Sequence, residues 1–497
     1  MTQNELTPTA PTPAARWLCL ALAFGLAACA PMVPPAAPVA LPVPAAYPDR
    51  SPAPVDTTGT TAAALPAWQD FFADPELRRV VGLALDNSRD LRAAVLRVNE
   101  AAAAYGIQRA GLAPVVNGSI EGTRAQVPPA QSPTGRPLLG NQFEAGIGMS
   151  DWELDVWGRL RSLNEAALDT WLAADATRRA AAASLVAQVA DAYLALREVD
   201  ERLALARRTL DSRDDSVRIF RRRYELGAAS RLNVTQVELL RQQAAAQVAQ
   251  LEQARAQGRA LLDLLAGTPV VLAPPAGTLG AVPLARDLEP GLPSDLLLER
   301  ADVAAAERLL AAARANVGAA RAAFFPRIAL TAAYGTASTS LDTLFDRDTR
   351  AWRFTPSLAL PIFNGGRLKG QLAVAQVRTD LAVAQYERAI QAAFRDVADA
   401  LAAERWLGDQ AEALRVTLAL QGERGRLARL RYENGSAAYL EVLDAERERF
   451  GAEQQLVQLR RQQLSARVAL YRALGGGARQ LPGAVAQHDR TYLDGQP

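Results

Sequence analysis

Histidine occurs once in the 497 residues and cysteine twice. His488 stands alone in a polar C-terminal stretch, and Cys19 and Cys29 both lie near the N-terminus. A zinc-type site needs several such ligands, so no metal residue is assigned and a disulfide framework has too few members. The chain also lacks a P-loop, a Gly-x-Ser-x-Gly turn and a dinucleotide fingerprint. No catalytic residue and no cofactor follow, and the expectation is a protein that is not an enzyme. Neither sign of charge is in excess: 55 Lys+Arg against 53 Asp+Glu leaves +2, which gives no reason to expect nucleic acid. The charges are interspersed along helical stretches, as on a solvated helix surface.

A local shortage is more telling. From Arg159 to Leu226 there is no proline and no internal glycine, enough for a helix of roughly 100 Å at 1.5 Å rise per residue. Val189, Leu196, Leu203, Leu210, Val217 and Tyr224 recur seven apart, with Ala192, Val199, Ala206 and Phe220 three beyond. That is coiled-coil spacing.

The chain then repeats itself. Gly158-Arg159-Leu160 returns as Gly366-Arg367-Leu368, and Arg223-Tyr224-Glu225 with Gly227 returns as Arg431-Tyr432-Glu433 with Gly435, a displacement of 208 residues. Such a period is far longer than that of small solenoid repeats, so the chain consists of two structural halves. Residues 67–267 form the first repeat and 295–475 the second, joined by the proline-rich segment 268–294 and followed by a tail at 476–497. Each repeat opens with a helix. In the first, Asp74-Pro75 caps it and Pro114 ends it. Alternating segments at 115–157 and 327–363 then read as β-hairpins, with Phe143, Ala145, Ile147 and Met149 opposed by Gln142, Glu144, Gly146 and Gly148. Ile328, Leu330, Ala332 and Tyr334, and Trp352, Phe354 and Leu358, alternate in the same way. The runs have the length of a tilted transmembrane strand. Long helices at 159–226 and 367–434 follow, broken at Gly227 and Gly435 in a setting suited to a left-handed cap, and shorter helices at 232–265 and 438–474 return.

The N-terminus adds a location. Arg16 precedes the short apolar run Trp17–Ala27, and Leu26-Ala27-Ala28-Cys29 matches a bacterial lipobox. Residues 1–28 therefore read as a signal peptide, with N-acyl diacylglyceryl modification expected at Cys29. Ala30 is not an inner-membrane retention residue, so the outer membrane is the expected destination. Residues 29–66, rich in Pro and Ala, read as a tether.

Four membrane strands cannot close a barrel, since the smallest have about eight, and open strand edges are not tolerated in lipid. If these strands lie in a membrane and are not soluble hairpins, several copies must share one barrel, and helices this long must continue into an aqueous space.

The chain resembles the TolC-like outer membrane factors, in particular NodT-type efflux lipoproteins. The resemblance is carried by Trp68-x-x-Phe71-x-x-Asp74-Pro75-x-Leu77, Asn87-x-x-Asp90-Leu91-Arg92 and Glu153-Leu154-Asp155-Val156-Trp157-Gly158-Arg159. It continues through Gly318-x-x-Arg321-Ala322-Ala323-Phe324-Phe325-Pro326, Leu360-Pro361-Ile362-Phe363-Asn364-Gly365-Gly366-Arg367 and Val442-Leu443-Asp444-Ala445. It implies an α+β membrane protein, a homotrimer with a twelve-stranded β-barrel in the outer membrane and a twelve-helix periplasmic α-barrel. It further implies an exit duct for drugs or other small molecules, working with a periplasmic adaptor and an inner-membrane pump, of the proton-driven RND type. Glu441 and Asp444 match the acidic ring at the periplasmic gate, while Ala437 and Asn233 depart from the residues expected to latch it. Tyr224, Gly227, Tyr432 and Gly435 fall at the adaptor-docking tips. Gly158, Arg159, Pro361, Gly365, Gly366 and Arg367 mark the strand–helix junctions. A duct for type I secretion or metal efflux, and a lipid-anchored periplasmic coiled-coil protein, remain as alternatives.

Overall fold

The computed structural model describes residues 32–35, 42–44, 47, 65–133, 135–274, 277–284, 288 and 300–477. The signal peptide, Cys29, most of the 29–66 segment, the start of the second repeat at 295, and His488 lie outside the described residues. Short α1 (Trp68–Phe71) is followed by α2 (Pro75–Asn87) and α3 (Arg89–Ala110), then strands β1 (Val116–Val127) and β2 (Leu138–Glu153). Helix α4 (Arg159–Glu225) and α5 (Arg231–Ala266) complete the first repeat. The second runs α6 (Ala301–Ala322), β3 (Arg327–Ser338), β4 (Arg350–Ala359), α7 (Arg367–Glu433) and α8 (Tyr439–Ala473). Both long helices have 67 residues. The opening helix expected to run unbroken to Pro114 is divided at Ser88, whose backbone is extended (ψ 128°). Serine competes for backbone partners in this way, and its hydroxyl faces the Leu91 amide at 3.5 Å. No helix among the described residues is long and apolar enough to cross a membrane.

The chain divides into two units. One comprises Asn99–Ala173 and Ala306–Gln385 with the described part of Met1–Val39. It holds a single antiparallel sheet in the order β1-β2-β3-β4, so the two hairpins join through β2 and β3. Directly paired residues share a face and successive residues alternate. The register therefore gathers Ile120, Ala145, Ile147, Met149, Leu330, Tyr334, Trp352, Phe354 and Leu358 on one face. The opposite face collects Asn117, Ser119, Glu121, Thr123, Glu144, Thr331, Arg353 and Thr355. Gly146 pairs with Gly335 on that polar face. A Cβ at Gly146 would lie 2.6 Å from the Tyr334 carbonyl oxygen and 2.9 Å from Gly335 Cα, so only glycine permits this close approach. In the same unit, Tyr105 stacks on Trp171 at 5.6 Å, and Ala166 packs on Ala312 and Ala315.

The other unit comprises Ala40–Val98, Ala174–Ala305 and Tyr386–Pro497. Its main core joins Phe71, Phe72, Leu77 and Val80 to the Val189–Leu196 stretch of α4, Leu262 of α5 and Tyr471 of α8. Asp74 caps α2 by accepting from the Glu76 and Leu77 amides (2.9 and 3.4 Å) and also accepts from the Tyr193 hydroxyl at 3.0 Å. Burial, with the adjacent Asp74 charge, pushes that phenol well above its ordinary pKa. The heptad residues Val189, Leu196, Leu203 and Val217 are buried, as are Ala192, Ala206 and Phe220.

The 29–66 segment is not free at its described residues. Val33 fills the notch that a side chain at Gly318 would need. Tyr47 is buried and stacks on Phe394 at 5.1 Å, with Val43 and Leu65 on the same cluster. The Pro/Ala-rich composition reads as a tether, and among its described residues Val43, Tyr47 and Leu65 pack on this apolar cluster.

Before α6, Arg300 donates to Asp302 (2.6 and 2.9 Å), to Asp396 of α7 (3.2 Å) and to the Ala473 carbonyl at the end of α8 (3.2 Å). Burial raises the pKa of the Asp302 carboxyl, but Arg300 outweighs it and holds it below the usual range. A depressed carboxylate contributes stability above its unfolded pKa and loses it as pH falls through the folded value. Asp302→Asn is expected to flatten the acid limb of stability against pH, measured by thermal unfolding in detergent. An identical limb in the variant contradicts this.

Candidate functional site

The two strand–helix junctions lie in the sheet-bearing unit. At the first, Gly158 has φ 75°, a conformation open to glycine and costly for other residues. Trp157 stacks on Phe325 at 4.9 Å and donates its indole N–H to the Pro326 carbonyl at 2.8 Å. Asp155 accepts from the Leu160 and Arg161 amides (2.9 and 2.8 Å), satisfying the open end of α4. Glu153 takes a bidentate pair from Arg159 (2.8 and 2.7 Å) and a bond from Arg327 of β3 (3.0 Å). The Glu153-to-Arg159 motif is therefore a bracket that fixes strand to helix. The sequence marked Gly158 and Arg159 but passed over Asp155, although an Asp shortly before a helix is a capping signal.

The second junction repeats the logic with fewer contacts. Gly365 and Gly366 have φ 60° and 84°, and the Asn364 carboxamide oxygen accepts from the Leu368 amide at 3.3 Å. Ile362 and Phe363 are almost fully exposed in the single chain (89% and 91%). Pro361 precedes them after the end of β4.

The two tips lie together in the other unit. At the first, the Gly227 amide donates to Tyr224 (2.9 Å) and the Ala228 amide to Arg223 (2.7 Å). At the second, Gly435 donates to Tyr432 (3.0 Å) and Ser436 to Arg431 (2.9 Å). Both glycines are left-handed, at φ 76° and 71°. Each tip is thus a Schellman-type cap, and the 208-residue repeat extends to individual hydrogen bonds. The restarts differ. Ser230 caps α5 by accepting from the Asn233 amide at 3.2 Å, whereas Ala438 has no cap side chain for α8. Ser230→Ala is expected to cost about 1 kcal/mol, and Ala438→Ser to gain up to about that much. Denaturant midpoints of the two variants check it.

Between the tips sits Tyr439, 4.5 Å from the Phe220 ring and 5.0 Å from Tyr432. Arg223 lies over the Phe220 and Tyr432 rings and bonds the Tyr432 hydroxyl. Tyr224, in contrast, is exposed. Glu441 pairs with Arg431 at 2.8 Å, and Asp444 with Arg447 at 3.4 Å, all four at least two-fifths exposed. Each acidic residue therefore has a cation on its own chain. Glu446, which the sequence did not single out, accepts from the buried Arg213 of α4 and from Arg429 of α7, both at 2.7 Å. Salt bridges Arg221–Glu238 and Arg241–Asp214 (2.7 and 2.8 Å) join α4 to α5. The helices thus lie in the order α5, α4, α8, α7.

Comparison with known proteins agrees with this architecture. The family model for outer membrane efflux proteins matches residues 80–268 and 292–476. The toluene efflux pump outer membrane protein TtgF of Pseudomonas putida is 46% identical over 410 residues, covering 82% of this chain and 85% of its own. Outer membrane protein OprJ of Pseudomonas aeruginosa is 42% identical over 462 residues, covering 93% and 95%. The open-state MtrE outer membrane channel of Neisseria gonorrhoeae superposes with a TM-score of 0.79 at 36% identity, over 91% of this chain and 99% of that one. The chain belongs to the outer membrane efflux protein family.

Proposed function

We propose that three copies of this chain form the exit duct of a tripartite efflux system, with their strands closed into one barrel. The sheet carries the case for shared closure. Its order leaves β1 and β4 as open edges, and both strands are exposed along nearly their whole length. Such edges persist in lipid only when paired with another copy. The two-faced register supplies a lipid-facing apolar side and a water-facing side. On the latter, Glu121 lies opposite Glu144, and Arg353 approaches Glu144 at 3.9 Å. Like charges paired across strands are tolerable in water and prohibitive in hydrocarbon. In the helical array, the outer helices carry unmatched apolar residues: Leu232, Leu239 and Leu261 on α5, and Val416, Leu420 and Leu427 on α7. Packing α7 of one copy on α5 of the next closes a ring.

In this reading the tips dock a periplasmic adaptor, an inner-membrane pump of the RND type supplies the energy, and the Cys29 acyl chains anchor the N-terminus in the outer membrane. The cargo class is small apolar or amphiphilic compounds, in keeping with the toluene pump relative. Loss of the chain should raise accumulation of an amphiphilic fluorescent dye in cells, and re-expression should restore efflux. Unchanged accumulation counts against the reading.

Glu441 and Asp444, three copies each, form the acidic mouth in this scheme. With Arg431 and Arg447 beside them, their field is partly compensated. The Glu441→Gln, Asp444→Asn double variant is expected to shift the reversal potential in single-channel recording toward weaker cation preference. An unchanged potential removes these residues from the gate.

A further inference from the structure

At the first strand–helix junction a cavity of 440 Å³ opens between the ends of β2 and β3 and the start of α7. Arg159, Arg327 and Arg367 line it together with Glu153 and Asp155, so the lining carries one net positive charge. The carboxylates are already engaged. Glu153 holds Arg159 and Arg327, Asp151 takes a second bond from Arg327 at 2.8 Å, and Asp155 is occupied by the α4 amides. These bonds use Nε and Nη2 of Arg159 and of Arg327. Nη1 of each makes no hydrogen bond within the described residues. Within the described residues Arg367 has a single neutral partner, the Gln371 carboxamide oxygen at 3.3 Å. Two guanidinium groups are thus held in place by Glu153 with donors to spare, and a third lines the same cavity.

We propose that this cavity binds a phosphate monoanion. A fixed cluster of guanidinium donors suits phosphate oxygens, and one negative charge matches the excess of the lining. Trp157 and Ile328 are among the apolar residues of the wall, with Leu154, Val156, Phe325 and Leu368, and such a wall accommodates the glycerol carbons of a phosphodiester. The source is a phospholipid headgroup at the membrane boundary or free phosphate. Only the first of these rests on the strands spanning the membrane.

The test uses the full-length protein purified in detergent, in two arms. Native mass spectrometry follows retention of short-chain phosphatidylglycerol against phosphatidylcholine, and titration calorimetry follows inorganic phosphate. Arg367→Gln, a change at an exposed side chain, is compared with Arg378→Gln, which lies outside the cavity. The expected result is preferential retention of phosphatidylglycerol, weakened about tenfold by Arg367→Gln and unaffected by Arg378→Gln. Phosphate binding that depends on Arg367, without lipid preference, also supports the site and identifies a soluble ligand. Absence of binding in both arms, or binding indifferent to Arg367→Gln, overturns it. Channel conductance enters neither arm, so failure here leaves the exit-duct reading standing.

Discussion

Gly335→Val removes the protein from the outer membrane. A Cβ at 335 would fall well inside the van der Waals contact distance of the Ala145 carbonyl oxygen, and its partner Gly146 is confined by backbone in the same way. Neither obstacle is a flexible side chain, so the strands must separate. The pairing at stake is β2 with β3, which alone joins the hairpins of the two repeats. Each remaining two-stranded ribbon is marginal by itself. Membrane fractionation should show the wild-type protein in the outer membrane and the variant lost to degradation. Gly140→Ala is the control, because nothing lies within 4 Å of a Cβ there. Normal outer membrane levels of Gly335→Val would show that the close strand approach is not required.

Tyr471→Ala is expected to destabilise the helical unit by about 4 kcal/mol, the range for deleting a buried aromatic side chain. The Tyr471 ring is 2% exposed, lies parallel to Phe71 at 4.1 Å and meets Phe72 edge-on at 6.3 Å. Its hydroxyl donates to the Pro66 carbonyl at 2.8 Å. Tyr471→Phe keeps the stack and removes only that bond, so it should cost about 1 kcal/mol. The difference between the two variants isolates the packing contribution. Chemical denaturation of the detergent-solubilised protein measures both, and equal losses would mean that the hydroxyl dominates.

Much of this architecture is visible in the chain because its signals are local and repeated. The first long helix follows from an absence of proline and glycine and a seven-residue apolar recurrence, and the second, which carries Gly370, Gly408, Gly422 and Gly425, follows from its correspondence with the first at 208 residues. The left-handed conformations at Gly158, Gly227, Gly366 and Gly435 follow from glycine standing where each repeat changes element. The strand faces follow from alternation, and the register preserves the phase read for Phe143, Ile147, Tyr334 and Phe354. What the sequence hides is long-range. Nothing local links Glu153 to Arg327, Tyr439 to Phe220 or Arg213 to Glu446, since each contact joins the two repeats. The seat of Tyr47 on Phe394 is hidden for the same reason, in a segment whose composition suggested a tether. At the gate, Glu441 and Asp444 were legible as acidic residues past the second tip. Their pairing with Arg431 and Arg447 depends on side-chain geometry across a turn and within a helix.

The central claim is that copies of this chain enclose a water-filled path through the outer membrane. Single-channel recording of the purified protein in a planar lipid bilayer tests it most directly. Discrete conductance steps from the wild-type protein, absent for a mock preparation from cells that lack the chain, are the predicted result. A folded wild-type protein that associates with the bilayer but never conducts would contradict it, and would favour a lipid-anchored periplasmic coiled-coil protein instead.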